Sequence, residues 1–124
     1  MTVTCTWSGA VKVEWLDNGR DMRLLESLTY TDQNGQQWKA LEGDIIDGAS
    51  IPRFFWRLIG SPFVGRYRRA SVIHDVYCKT QIHESPAIHA LFHEMMLVDG
   101  VSQWVAFWMW LAVRMFGPRF EGVL

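Results

Sequence analysis

The run Tyr67-Arg68-Arg69-Ala70-Ser71-Val72-Ile73-His74-Asp75-Val76-Tyr77-Cys78-Lys79 lies in a segment, residues 63–79, whose apolar side chains recur at helical spacing. Wound at about 3.6 residues per turn, Phe63, Tyr67, Ala70, Ser71, His74 and Cys78 share one face, while Val72, Ile73 and Val76 form a second. A helix that is apolar on two sides belongs at the centre of its layer. Small side chains at Ala70, Ser71 and Cys78 leave room beside His74 for another helix to approach.

That second helix opens at Ser85-Pro86, where proline suits the first turn, and runs to about residue 98. Its inner stripe is Ile88, Leu91, Phe92 and Met95, and Asp99-Gly100 closes it. A third helix spans residues 102–116 and stops at Gly117-Pro118; from Trp104 onward Arg114 is almost its only charge. At about 1.5 Å per residue the greasy run reaches roughly 20 Å, short of a hydrocarbon core of about 30 Å, so it is not read as a transmembrane span. Burial in the core, self-association and a shallow membrane-surface contact all remain open for it, with Trp104, Phe107, Trp108 and Trp110 as the contact residues.

Upstream of residue 47 the period changes. Residues 2–7 and 11–15 alternate polar and apolar, as a strand with one wet face does, and Asp17-Asn18-Gly19 marks a turn. In residues 22–31, Leu24, Leu25 and Leu28 would also suit a helix. The β-friendly Leu28-Thr29-Tyr30-Thr31 before Asn34-Gly35 favours a hairpin with residues 36–41 as its return strand. Asp47-Gly48-Ala49-Ser50-Ile51-Pro52 is a turn leading to a short apolar helix at residues 54–59, ended by Gly60-Ser61-Pro62. The fold expected is α+β in one domain, residues 1–124. An N-terminal antiparallel layer of hairpins (1–46) packs on three or four C-terminal helices (47–124).

Composition narrows the function classes. The 124 residues are 49% hydrophobic and 20% charged, enough to bury a core without disulfides. Twelve Lys+Arg against thirteen Asp+Glu provide no overall field for nucleic acid. Cys5 and Cys78 do not make a disulfide framework. The start Met1-Thr2-Val3-Thr4-Cys5 lacks the basic and apolar run of a secretory signal, which argues for cytoplasmic synthesis without export through that route. Seven Trp and seven Phe supply large apolar areas, either for the core or for a partner.

His74-Asp75 is the first candidate for chemistry; its bland alternative is a hydrogen-bonded core histidine and an Asp paired with Arg66, Arg68 or Arg69. His89 and His93, four residues apart on the next helix, have metal-ligand spacing. His89 borders the apolar stripe and His93 turns toward water, so His89 ranks first. A short loop between the two helices allows His74 and His89 to face one another. Asp47, in the turn of residues 47–52, is a further candidate cation ligand; the turn reads more readily as a plain connection with Ser50 as a cap.

The turn of residues 47–52, Tyr67 to Asp75 as quoted, and Ala112-Val113-Arg114-Met115-Phe116-Gly117 together resemble a family of small bacteriophage and prophage proteins, domain of unknown function 1353. The resemblance covers nearly the whole chain. At the family's acidic position three residues before Phe92, this chain carries His89. A more distant likeness is to the His-Asp helix of secreted phospholipases of the A-two type. That likeness implies His74 as general base, Asp75 as calcium ligand and His89 as the group orienting His74. The chain departs from it in having Cys78 where a Tyr is expected, and in lacking a disulfide set and a Gly-rich calcium loop.

The reading that follows is a phage-encoded accessory protein in which His74, Asp75 and His89, with Asp47, bind a divalent cation, calcium or zinc, and hydrolyse an ester or amide. The rival is a non-enzymatic virion or tail component, or a binder of a host factor, that uses its aromatic C-terminal helix. A water-accessible cleft at His74, Asp75 and His89 separates the first from the second, which needs Trp104, Phe107, Trp108 and Trp110 exposed together.

Overall fold

The computed structural model describes residues 5–18, 21–47 and 65–123. The expected turn at residues 48–52, the short helix at 54–59 and its stop lie outside the described residues, as do the first residues of the strand expected at 2–7. The chain divides into two compact units, residues 1–47 and 48–124, and the division falls where the sequence changes period.

Among the described residues, the first unit holds six short strands: β1 (Thr6–Trp7), β2 (Val13–Trp15), β3 (Met22–Leu24), β4 (Leu28–Thr31), β5 (Gln37–Ala40) and β6 (Ile45–Ile46). They form two antiparallel three-stranded sheets, ordered β1-β4-β5 and β2-β3-β6. Alternation decides which faces are buried: Met22, Leu24, Leu28, Tyr30, Trp38 and Ala40 point inward, while Arg23 and Lys39 between them are exposed. The β4–β5 hairpin pairs Tyr30 with Trp38 and Leu28 with Ala40. Residues 22–31 are not one element. Leu25, 43% exposed, belongs to the break that sends β3 and β4 into different sheets, so the three leucines serve two strands and a corner.

The hairpin turn is organised by one buried carboxylate. Asp32 Oδ1 accepts from Asn34 N at 2.8 Å and Gln36 N at 3.0 Å, and Oδ2 accepts from the Trp38 indole at 3.0 Å. Gly35, with φ of 81°, takes the left-handed conformation that glycine adopts without steric cost.

Among the described residues, the second unit contains a 3-10 turn (Gly65–Tyr67) and three helices, α1 (Arg68–Thr80), α2 (Ser85–Val98) and α3 (Gln103–Phe116). α1 packs on α2 and α2 on α3. α1 ends with Gln81 in a left-handed conformation whose N–H donates to Tyr77 O, and α3 begins with Ser102 Oγ accepting from Val105 N. Arg69 bridges both oxygens of half-buried Asp99, and Arg66 Nη1 donates to Gly100 O at 3.1 Å, so two arginines of the first helix region hold the α2–α3 corner. Of the arginines considered as partners of Asp75, Arg69 pairs with Asp99, and Asp75 lies 3.4 Å from Lys79 Nζ. α3 buries its small-residue face, Ala106, Met109, Ala112 and Val113. Among the described residues, no helix is long and apolar enough to cross a membrane. The two antiparallel sheets followed by three helices make the chain α+β.

After α3 the chain runs back to the start of α2. Ser85 N donates to Phe120 O at 2.9 Å, Phe120 N donates to Ser85 Oγ at 3.1 Å, and Val123 N donates to Ile82 O at 3.0 Å. Gly122 makes this close approach feasible: its φ is +80°, and a Cβ there would lie 2.6 Å from the His83 carbonyl carbon.

Candidate metal centre

The helix period that buries Ala70 and Ser71 also carries His74 and Cys78 inward, four residues apart on one face of α1. On α2 the same period buries Ile88, Phe92 and His89. The antiparallel packing of α1 and α2 then puts His74 Nε2 2.9 Å from His89 Nδ1. The Phe92 ring stacks on the His74 imidazole at 4.5 Å, and Cys78 Sγ lies 3.6 Å from His74 Nε2. His74 is 0% exposed, His89 1% and Cys78 6%.

The protons of this group follow from its partners. His89 Nε2 is 3.0 Å from Pro118 O, and a carbonyl can only accept, so Nε2 bears the hydrogen. In a neutral ring Nδ1 is then an acceptor, and His74 Nε2 must donate to it. Both rings are held neutral. Burial, and secondarily the neighbouring His89, keeps His74 well below the ordinary imidazole range. Burial also lowers His89; the Pro118 carbonyl opposes that shift and the Arg114 charge adds to it. Burial, reinforced by the Asp75 carboxylate, pushes the Cys78 thiol up to about 12. A thiol of that kind is a poor nucleophile.

The same three side chains suit a soft divalent ion. The ligand atoms of His74, Cys78 and His89 lie within 4.8 Å of one another, the one such group among the described residues. Tetrahedral zinc, with bonds of about 2.0–2.1 Å to nitrogen and 2.3 Å to sulfur, sets its ligand atoms about 3.3–3.6 Å apart. The distance of 3.6 Å from Cys78 Sγ to His74 Nε2 already matches, the two nitrogens at 2.9 Å need to part by a few tenths of an ångström, and Cys78 Sγ lies within 4.8 Å of the His89 ligand nitrogen. The His89 Nε2–H to Pro118 contact is the outer hydrogen bond that fixes a metal-binding imidazole for coordination through its other nitrogen. His74, Cys78 and His89 can therefore hold a metal.

Of the residues singled out in the sequence, His74 and His89 converge. Asp75 is buried beside Lys79, outside the group of three. Asp47 is half-buried at the end of the β unit, and the rest of its turn lies outside the described residues. His93 is half-buried, edge-on to Trp110 at 6.3 Å. Trp104, Phe107 and Trp108 are 76%, 41% and 52% exposed, whereas Trp110 is half-buried. In the sequence Cys78 shares the face of His74 and reads there as a small residue that leaves space. Its i, i+4 spacing from His74 was the signal, the same spacing that drew attention to His89 and His93. The Pro118 carbonyl carries no side-chain signal at all.

The chain matches the family described as "Protein of unknown function (DUF1353)" over residues 22–113. It is similar to the uncharacterized protein y4jT of Sinorhizobium fredii (strain NBRC 101917 / NGR234), 42% identical over 95 residues, covering 77% of this chain and 28% of that protein. It is likewise similar to the uncharacterized protein y4iH of the same strain, 39% identical over 90 residues, covering 73% of this chain and 38% of that protein. The matched segment thus spans well under half the length of either curated relative. No solved structure matches the chain. With its match running from β3 to the last turn of α3 and taking in both histidines and Cys78, the chain belongs to the DUF1353 family.

Proposed function

We propose that this chain binds one zinc-type ion through His74 Nε2, His89 Nδ1 and Cys78 Sγ, and uses it to hydrolyse an ester or amide. The observation that carries the reading is the convergence of three buried donors from two helices within 4.8 Å. Two imidazole nitrogens and a sulfur favour zinc over calcium, which takes six to eight oxygen ligands. Three protein ligands would leave a fourth position, at which a bound zinc ion would make water more acidic and polarise a carbonyl; His74, Asp75 and Cys78 are closed off, so water would enter on the side of His89, which lines a cleft. The chain's own part is to hold both rings neutral, to fix His89 through Pro118, and to keep the group in a low-dielectric setting. The setting we propose, an accessory protein of a bacteriophage or prophage in the host cytoplasm or the virion, follows from the motif pattern quoted above.

The test is thermal stability and metal content of the purified protein with chelator, zinc or calcium. Zinc should raise the melting temperature of the wild type, raise that of Cys78→Ser by less, leave His74→Ala and His89→Ala unmoved, and be copurified at one ion per chain. Calcium should do nothing. A wild type that ignores zinc, or variants that respond as it does, would overturn the metal site.

A second reading is an interaction protein, favoured by the exposed row Trp104, Phe107 and Trp108, in which Phe107 and Trp108 pack edge to face at 5.4 Å. Its partner would be a phage or host protein, a second copy, or a membrane surface. Sedimentation of wild type beside Trp104→Ser/Trp108→Ser tests self-association: a shift toward monomer in the variant supports it, and identical profiles sink it.

A further inference from the structure

His89 has a second side. Beyond the ring, the first turns of α2, the last turn of α3 and the returning tail enclose a cleft of about 760 Å³, lined by Ser85, Pro86, His89, Arg114, Met115 and Phe120, with Arg119 beside them. That volume falls in the range of small-molecule sites. The walls are mixed: Pro86, Met115 and Phe120 are apolar, and two guanidinium groups stand among them.

The charges in this cleft are not matched internally. Arg114 makes neither a hydrogen bond nor an ion pair with any described residue, although its charge is close enough to act on His89. Arg119 spends one donor, Nη2, on Met115 O at 2.9 Å. Glu84 and Glu121 line the same cleft, yet neither pairs with either arginine among the described residues. A planar guanidinium with free donors at the edge of an apolar cavity is the arrangement that recognises a carboxylate or phosphate in two-point fashion.

We propose that this cleft binds an amphiphilic oxyanion, its carboxylate or phosphate held by Arg114 and Arg119 and its apolar body laid on Pro86, Met115 and Phe120 against His89. In calling that ligand the substrate, the inference rests on the hydrolytic reading of the His74–Cys78–His89 group; binding itself requires no metal. The substrate class would then be an ester or amide that also carries an oxyanion.

The experiment titrates hexanoate, phenyl phosphate and the neutral hexanamide into full-length protein containing chelator, following the His89 imidazole resonances by NMR. The proposal expects saturable shifts at His89 with at least one of the two anions, and none with hexanamide at the same concentrations. Which anion binds tells a carboxylate ligand from a phosphate one. Arg114→Gln, an exposed substitution, should weaken the binding about tenfold, the loss of roughly one charge-assisted hydrogen bond. No saturable shift with either anion, equal binding of hexanamide, or an Arg114→Gln variant that binds as wild type would each overturn the proposal. Because chelator is present throughout, loss of the zinc reading would leave these titrations intact, and failed titrations would leave zinc loading intact.

Discussion

The imidazoles of His74 and His89 share a single N–H, donated from His74 Nε2 to His89 Nδ1 across 2.9 Å, because the other nitrogen of His89 is committed to the Pro118 carbonyl. The two atoms proposed as metal ligands are thus the two ends of one hydrogen bond.

Zinc must displace that proton. On loading, the His74 hydrogen moves to Nδ1 and the Cys78 thiol ionises, so about one proton is released per ion. Calorimetric titrations in buffers of different ionisation enthalpy measure this number. Cys78→Ser should bind zinc more weakly and release close to none.

Stability without metal should fall on acidification. The folded-state value of His74 is depressed, so near and below pH 6.5 the unfolded chain binds the proton that the folded chain refuses. The stabilisation is complete above the unfolded value and is lost as pH drops below about 6.5, with a slope approaching 1.4 kcal/mol per pH unit. His89 adds in the same direction. Urea unfolding between pH 7.5 and 5 with chelator checks this, and His74→Gln should flatten the profile.

Asp32→Ala removes three acceptor contacts from the β4–β5 hairpin and leaves the Trp38 indole N–H without the carboxylate. Hydrogen bonds to a charged group of this kind support a loss of about 2–3 kcal/mol. Chemical denaturation followed by tryptophan fluorescence measures it.

Gly122→Ala places a methyl against the His83–Glu84 backbone at a positive φ, and the tail must shift away from α2. The expected cost is about 1–2 kcal/mol of stability. Pro118 moves with the tail, so zinc affinity should drop about 10- to 100-fold, as it does when an outer hydrogen bond to a ligand histidine is lost.

Ser71 has a buried hydroxyl with no hydrogen-bond partner among the described residues, one turn before His74. Ser71→Ala removes an unsatisfied group at almost no change of volume and should leave stability unchanged or raise it by about 1 kcal/mol. A measured loss greater than that would show that the hydroxyl has a role in solution.

The helices were legible because their signals are local. Pro86 at the start of α2, Gly100 and Ser102 between helices, and Gly117-Pro118 after α3 place the ends within a residue or two of those observed. The first helix differs at its start: the sequence pattern begins it at Phe63, but the α-helix begins at Arg68 after a 3-10 turn over Gly65–Tyr67, and residues 63 and 64 lie outside the described residues. The β4–β5 hairpin was legible from Asn34-Gly35. Pairings between distant segments were not. β6 is two residues, Ile45–Ile46, too short to show a period, and it joins β3 across a gap that no local pattern records. The sorting of strands into two sheets is likewise a long-range matter. In the site, His74 and His89 stood out as polar residues on apolar faces. Cys78 is itself apolar enough to pass for core, and Asp32 looks like any turn residue until Trp38 is seen folding over it.

The spacing of the site's contacts orders its assembly. His74 and His89 are 15 residues apart and meet through a short helical hairpin, a closure that a partly synthesised chain can complete as soon as α2 has formed. His89 and Pro118 are 29 apart, and their contact waits for α3 to dock and the tail to return. Before that moment the pair of rings can share its hydrogen in either direction, and afterwards only one direction survives. The last thing folding settles at this site is the address of a proton.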